Sequence, residues 1–222
     1  ERVKLSELSR ESDGTNTISN PRYLFSIPGQ TESRLNVVRQ PDAWFAEVVV
    51  GGKTAMQPSA FSPYGTVAGL TAYTADLNQD RIPDFVIYSF SGGCGLGSGY
   101  CNVAFILSSG NTYNLTTVTT LFPDEDDFII VAKKPYFIHT AFLGVEKCND
   151  GKPHNFWIYN LVAFGKDASS VKIDNNVHSA FPKTIWYTDK PNHAETSIIT
   201  NEQKATLRKQ SLTCVYWKKE DL

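Results

Sequence analysis

The stretch Asp76-Leu77-Asn78-Gln79-Asp80-Arg81-Ile82-Pro83-Asp84-Phe85-Val86-Ile87-Tyr88 joins an oxygen-rich turn directly to an apolar run. Phe85 to Tyr88 is β-branched and aromatic, and such a run bounded by turn residues reads as a strand. Asp76, Asn78, Asp80 and Asp84 hold positions one, three, five and nine of the turn. A short loop that folds back brings alternate side chains together, and the carbonyl of position seven, Ile82, can fill a gap in an oxygen shell. Oxygen donors suit a hard cation, so the spacing predicts a structural calcium site with Asp76, Asn78, Asp80, Ile82 and Asp84 as ligands. The competing reading is a metal-free Asx turn held by its own side-chain to backbone hydrogen bonds. Four such groups in this register repel one another when uncompensated, which favours the cation.

Outward from this stretch, strand-like runs recur at 35–39, 44–50, 67–73, 85–90, 103–107, 113–121, 128–132, 136–142, 156–164, 170–173 and 184–188. They are rich in Val, Ile, Thr, Phe and Tyr and are separated by Gly, Pro, Asn and Asp clusters. About eleven short strands predict an antiparallel all-β domain, built as a meander, a sandwich or partial propeller-like sheets. Residues 1–33 are polar and broken by Pro21, Pro28 and Gly29. They read as a loosely attached arm with a short strand at 23–27 and a short helix in the first ten residues. The remaining 34–222 reads as a single domain ending in an α-helix at about 201–213. Thr200 caps that helix with Gln203 in capping-box position, and its acidic start and basic end match the helix dipole.

A weak internal echo relates Thr71-Ala72-Tyr73 and the turn and strand at 78–88 to Thr140-Ala141-Phe142 and the turn and strand at 149–159. It suggests two similar meander units, of which only the first carries the carboxylates; His154 stands where the first has its last Asp. Two turn-strand segments also resemble one another by chance, so both readings stand.

At 222 residues the chain is long enough to bury a proper core. A net charge of −2 gives no reason to expect nucleic acid as a partner. No apolar run approaches the roughly 20 residues that span a bilayer, so membrane insertion is not expected. Four cysteines, Cys94, Cys101, Cys148 and Cys214, make an even set. Cys94 and Cys101 flank a glycine cluster, which suits a bridge closing a hairpin loop, and Cys148 with Cys214 would form the second. Four cysteines allow three connectivities, and four reduced thiols in a cytosolic protein is the alternative. Zinc is disfavoured because no Cys-x-x-Cys pair is present. The chain opens at Glu1, which suits a form whose leader has been removed. Together these predict an extracytoplasmic protein, periplasmic or secreted. Asn114-Leu115-Thr116 is a glycosylation sequon, a pattern that also arises by chance.

Residues 70–107 resemble the calcium loops of FG-GAP and VCBS-type repeats, found in integrin-like β-propellers and many exported bacterial proteins. Those loops read Asp-x-Asn/Asp-x-Asp-Gly-x-x-Asp before a short apolar strand, and Asp76, Asn78, Asp80 and Asp84 fall on the ligand positions. Pro83 is frequent in that pattern, and the strand at 102–107 continues the likeness. The resemblance implies a calcium-stabilised β unit. The departure is Arg81 where those loops carry Gly, a position that requires positive φ and costs a non-Gly residue on the order of 1 kcal/mol. With one good loop, the implied unit is related to a propeller blade rather than part of a closed propeller. An EF-hand is disfavoured because its twelfth position would be Ile87 rather than Glu.

The remaining candidates weigh less. Gly92, Gly93, Gly95, Gly97 and Gly99 could cradle a phosphate only before a helix N-terminus, and strand-like runs lie on both sides. A partner-contact loop is the better functional reading of that segment. His139, His154, His178 and His193 have no metal-binding or catalytic spacing, and His139 in an apolar run reads as structural. No Gly-x-Ser-x-Gly elbow is present. Asp124-Glu125-Asp126-Asp127 reads as a solvated loop, with a second cation site or a basic partner as alternatives. Trp44, Trp157, Trp186 and Trp217 read as core or sheet-face residues. The expectation is an exported, non-enzymatic, calcium-stabilised binding protein with a protein partner, such as a periplasmic inhibitor or immunity protein. The alternative is a hydrolase of cell-wall or surface polymer with a structural calcium.

Overall fold

Phe85 to Tyr88 forms a strand that is buried along its length, and the reason is its place in the sheet order. The computed structural model describes residues 1–11, 21–27, 29–30, 32–63, 70–90, 99–145, 154–166, 171–179, 181 and 183–187. In chain order the strands are β1 (Ser6–Glu7), β2 (Arg10–Glu11), β3 (Arg22–Ser26), β4 (Arg34–Gln40), β5 (Ala43–Val50), β6 (Lys53–Ser62), β7 (Leu70–Ala75) and β8 (Asp84–Phe90). Then follow β9 (Tyr100–Ser109), β10 (Thr112–Leu121), β11 (Phe128–Val131), β12 (Lys134–Val145), β13 (His154–Ala163), β14 (Lys172–Ile173) and β15 (Lys183–Tyr187). Two compact units contain them, Glu1–Phe137 with Ala163–Lys172, and Ile138–Val162 with Ile173–Leu222.

The first unit holds two five-stranded antiparallel meanders, β2-β3-β4-β5-β6 and β1-β7-β8-β9-β10. Two-residue turns set several registers. Gly51 and Gly52 link β5 to β6 with φ of +55° and +74°, the doubly positive pair whose twist matches a hairpin. Gly110 opens the β9–β10 turn at φ +62°. On one face of the second meander, Ala72, Phe85, Ile87, Ala104, Ile106 and Tyr113 share a core with Leu35, Val37, Ala46, Val48, Met56 and Phe61 of the first. On the other face Phe105, paired across from Val86, meets Phe128, Phe137 and Phe164 at 6.2, 5.4 and 5.0 Å between ring centroids, all edge-on. Phe85, Phe105, Phe128 and Phe137 are fully buried, and burying each contributes about 2–3 kcal/mol. A sheet covered on both faces has no solvent side, so the centres of β8 and β9, Phe85 to Tyr88 and Val103 to Leu107, read as continuous apolar runs instead of alternating ones.

In the second unit β13 lies beside β12, and β15 pairs with it from Asn155↔Tyr187 to Tyr159↔Lys183. Trp157, Ile158, Leu161 and Val162 are buried, and Phe142 stands edge-on to Trp157 at 5.0 Å. A short 3-10 turn, Asn175–Val177, is bound by Asn175, which accepts from the Leu161 N–H at 2.9 Å and donates to Asn160 at 3.0 Å.

The antiparallel all-β expectation holds for the described residues. The loosely attached arm does not. Leu8, Phe25 and Ile27 are core residues, β3 pairs with β4 throughout, and β1 pairs with β7. A polar surface on these residues hid the three apolar side chains that anchor them. No helix forms in the first ten residues, where two short strands lie instead. The single domain starting at 34 is replaced by two units whose first begins at Glu1. The expected helix at 201–213 lies outside the described residues, among which the only helices are short 3-10 turns. β6 was not expected: Gln57, Pro58 and Ser59 disguise it, and Pro is tolerated there because β6 is an edge strand. The echo survives only as two pairs of neighbouring strands, β7–β8 and β12–β13, since the second turn falls outside the described residues.

Ala132 and Lys133 close the β11–β12 hairpin at φ +48° and +65°, where neither residue is at ease. Replacing them by Asn-Gly fits the same turn without that cost. The double variant is expected to gain about 1–2 kcal/mol in chemical denaturation; an unchanged or lower midpoint would show that the turn carries no such strain.

Candidate metal centre

Ala75 and Asp84 are the last pair of the β7–β8 ladder, so residues 76–83 form the connection between these strands. Leu77, 1% exposed, plugs the loop into the interior. Asp84 opens β8 and is fully buried. Its Oδ2 accepts from the N–H groups of Leu77 and Asn78 at 2.7 and 3.2 Å. Its Oδ1 accepts from the Ser108 N–H at 2.7 Å and the Ser108 hydroxyl at 2.9 Å. Four donors offset much of the cost of burying a carboxylate. Burial still outweighs them, and the Asp84 carboxyl is pushed up to about 6.

The rest of the loop is a chain of Asx turns. Asp76 Oδ2 accepts from the Arg81 N–H at 3.1 Å, Asn78 Oδ1 from the Asp80 N–H at 3.1 Å, and Asp80 Oδ1 from the Ile82 N–H at 2.8 Å. Arg81 sits at φ +71°, in the left-handed region that glycine adopts most readily. Gln79 does so at φ +63°, and its amide donates to the Lys133 carbonyl at 2.8 Å.

Ser108 is the residue that sequence reasoning missed. It lies on β9, 24 positions after Asp84, and only the β8–β9 pairing carries it under the loop. Its hydroxyl lies 2.8 Å from Asp80 Oδ2 and 2.9 Å from Asp84 Oδ1. One hydroxyl proton cannot fully serve two carboxylates. The Asn78 amide completes the arrangement, donating to the Ser108 carbonyl at 2.8 Å. Tyr113, opposite Ser108 on β10, has its phenol pushed up to about 12, by burial first and then by the nearby Asp84 and Asp80 charges.

The nominated donors are oxygens in the right loop order, which suits calcium in kind. Their arrangement is not yet a cage. Asn78, Asp80 and Asp84 gather about Ser108, Asp76 turns to Arg81, and Ile82 enters through its N–H. Among the described residues no group of three or more His, Cys, Asp or Glu side chains is positioned to hold a metal ion.

The cysteine expectation changes. Cys101 is a free, buried thiol that donates to the Asn102 carbonyl at 3.6 Å, and burial pushes it up to about 12. The expected bridge to Cys94 is therefore not made at Cys101, whose side chain is taken into the sheet interior. Cys94, Cys148 and Cys214 lie outside the described residues, as do His193, Trp217 and Gly92 through Gly97. Gly99 is described, and a β-carbon there would run into the Phe122 ring. Trp44 and Trp157 are core residues as expected, Trp44 stacking on Tyr23 at 5.6 Å. Trp186 lies on β15, His139 on β12 and His154 at the start of β13, while His178 is exposed beside Phe181.

The acidic run at 124–127 is a capped turn rather than a loose loop. Asp124 and Asp127 form a reciprocal capping box around Glu125–Asp127. Tyr88 donates to the Asp124 carbonyl at 2.9 Å, Tyr73 to Glu125 at 3.1 Å, and Arg2 pairs with Asp126. Asp127 is pushed up to about 7 by burial, with Asp124 and Asp126 adding to the rise, while the Asp124 N–H and Arg2 oppose it. A carboxyl raised in the folded state keeps a proton that the unfolded chain has lost. Its ionisation therefore costs stability as pH rises from about 4 to 7, and the cost is complete above that. Asp127→Asn is expected to raise stability by about 1–2 kcal/mol at pH 8 and by little at pH 4. Thermal melts across this range check it, and an equal effect at both ends would locate the change elsewhere.

No family model matches the chain, and neither curated proteins nor solved structures give a significant match.

Proposed function

We propose that the chain is a calcium-stabilised β-domain of an exported protein that works by binding another protein, as a periplasmic inhibitor or immunity protein does. The observation that carries the metal reading is the pair of aspartates converging on the Ser108 hydroxyl, one of them fully buried. Two like charges sharing one proton donor are undercompensated, and a cation among the loop oxygens supplies what the serine cannot. Arg81 held at positive φ supports the same reading, because that conformation is the one expected where FG-GAP and VCBS-type loops carry glycine. The cation's role is structural: it neutralises the carboxylates and fixes the connection between β7 and β8 against β9.

The binding reading rests on the opposite end of the same strands. Tyr100 and Leu121 are the terminal pair of the β9–β10 ladder, and Phe122 follows at once. Tyr100 and Phe122 are 41% and 52% exposed. Exposed aromatics are residue types enriched at protein interfaces.

Metal content of protein purified without chelator, with melts in calcium and in EDTA, tests the proposal. The expected result is about one equivalent of calcium and a chelator-induced loss of roughly 2–3 kcal/mol at hundredfold saturation. Asp80→Ala should bind no calcium and ignore EDTA. A calcium-free protein whose melt EDTA leaves unmoved would reduce the loop to its Asx turns.

A further inference from the structure

Among the described residues, the sheet edges of the first unit are guarded, with one exception. β1 and β2 are only two residues long. β6 carries Lys53 and Pro58, and its pairing with β5 shifts register at three places. The outer edge of β11 is covered by the chain's own first residues: Val3 donates to the Phe128 carbonyl at 2.9 Å, Ile130 donates to the Glu1 carbonyl at 2.7 Å, and Arg2 bridges Ile129. Short length, Lys, Pro, bulges and covering segments are the devices that stop edge-to-edge pairing.

Among the described residues, the Thr112–Val118 part of β10 has none of them. It is Thr-Tyr-Asn-Leu-Thr-Thr-Val-Thr-Thr-Leu over ten residues, without charge, Pro or Gly. Its register with β9 is unbroken from Thr112↔Ser109 to Leu121↔Tyr100, so the strand is regular along about 34 Å. It ends its sheet, and β6 lies near it without pairing. Asn114 and Thr117 are exposed.

We infer that the Thr112–Val118 stretch of β10 pairs antiparallel with the same stretch of a second copy of this chain, joining two five-stranded sheets into one of ten. A two-fold axis normal to the sheet keeps both core faces on one side, and opposed residues then share a face. Centred on Leu115, the pairing sets Leu115 against itself, Tyr113 against Thr117, Asn114 against Thr116 and Thr112 against Val118. Thr, Tyr, Leu and Val are good cross-strand partners, and like charges cannot oppose one another because the stretch has none. The net charge of −2 opposes self-association only weakly. The inference is independent of the calcium reading.

Sedimentation velocity on the unglycosylated full chain, from about 1 to 200 µM, tests it. The expected mass doubles with concentration, and backbone amides at 112–118 exchange at least tenfold more slowly in the concentrated sample. Asn114→Lys with Thr117→Lys should stay monomeric with an unchanged melt, while Ser59→Lys on β6 should still dimerise. A monomer throughout, or a dimer that the β10 lysines leave intact, would overturn the pairing. Should the double variant fail to fold, the amide exchange of the wild-type chain alone decides the question.

Discussion

The carboxylate of Asp84 is the constraint on which the centre of the molecule depends. It ends the β7–β8 ladder, receives two N–H groups from its own loop, and takes two further bonds from Ser108 on β9. One side chain thus fixes the reach of the loop, the first residue of β8 and the height of β9 beside it. The group sits where water does not reach, so its hydrogen bonds are strong and their loss is costly. The loop's conformational strain at Gln79 and Arg81 is tolerated because this anchor and the Leu77 plug over-determine the backbone around them.

Around that anchor the sheet order decides which sequence patterns are readable. β8 and β9 are mainly apolar because both of their faces are covered, and a run such as Phe85 to Tyr88 announces itself. The edge strands speak more softly. β6 carries Pro58 and polar neighbours because an edge needs protection more than it needs a hydrophobic face, and those same residues argue against a strand when read in isolation. Likewise the first 33 residues look detached because their buried apolar side chains among the described residues, Leu8, Phe25 and Ile27, are spaced too irregularly to form a period.

The candidate site was legible to the same extent and for the same reason. Local spacing singled out Asp76, Asn78, Asp80 and Asp84, while the positive φ expected at Arg81 came from the resemblance to loops that carry Gly there. Ser108 was beyond reach because its role arises from register between two strands, and a serine beside another serine carries no mark of it. Cys101 was misjudged on spacing: six intervening residues permit a bridge, but the inward face of β9 took the side chain instead. The acidic run at 124–127 read only as a solvated loop, because its capping box and the hydroxyls that reach it from Tyr73 and Tyr88 on distant strands appear only in the fold.

The aromatic group around Phe105 has a consequence for how the first unit comes apart. Phe105 presses on Phe128, Phe137 and Phe164, while its neighbours Ala104 and Ile106 belong to the core shared with the first meander. A single strand thus has its alternate residues in two separate hydrophobic clusters. Neither cluster can open without exposing one side of β9, and an exposed side weakens the hold of the strand on the other. The two cores are thereby locked into one cooperative transition, and the protection of the β9 amides against solvent exchange reports the stability of the whole unit instead of any local opening.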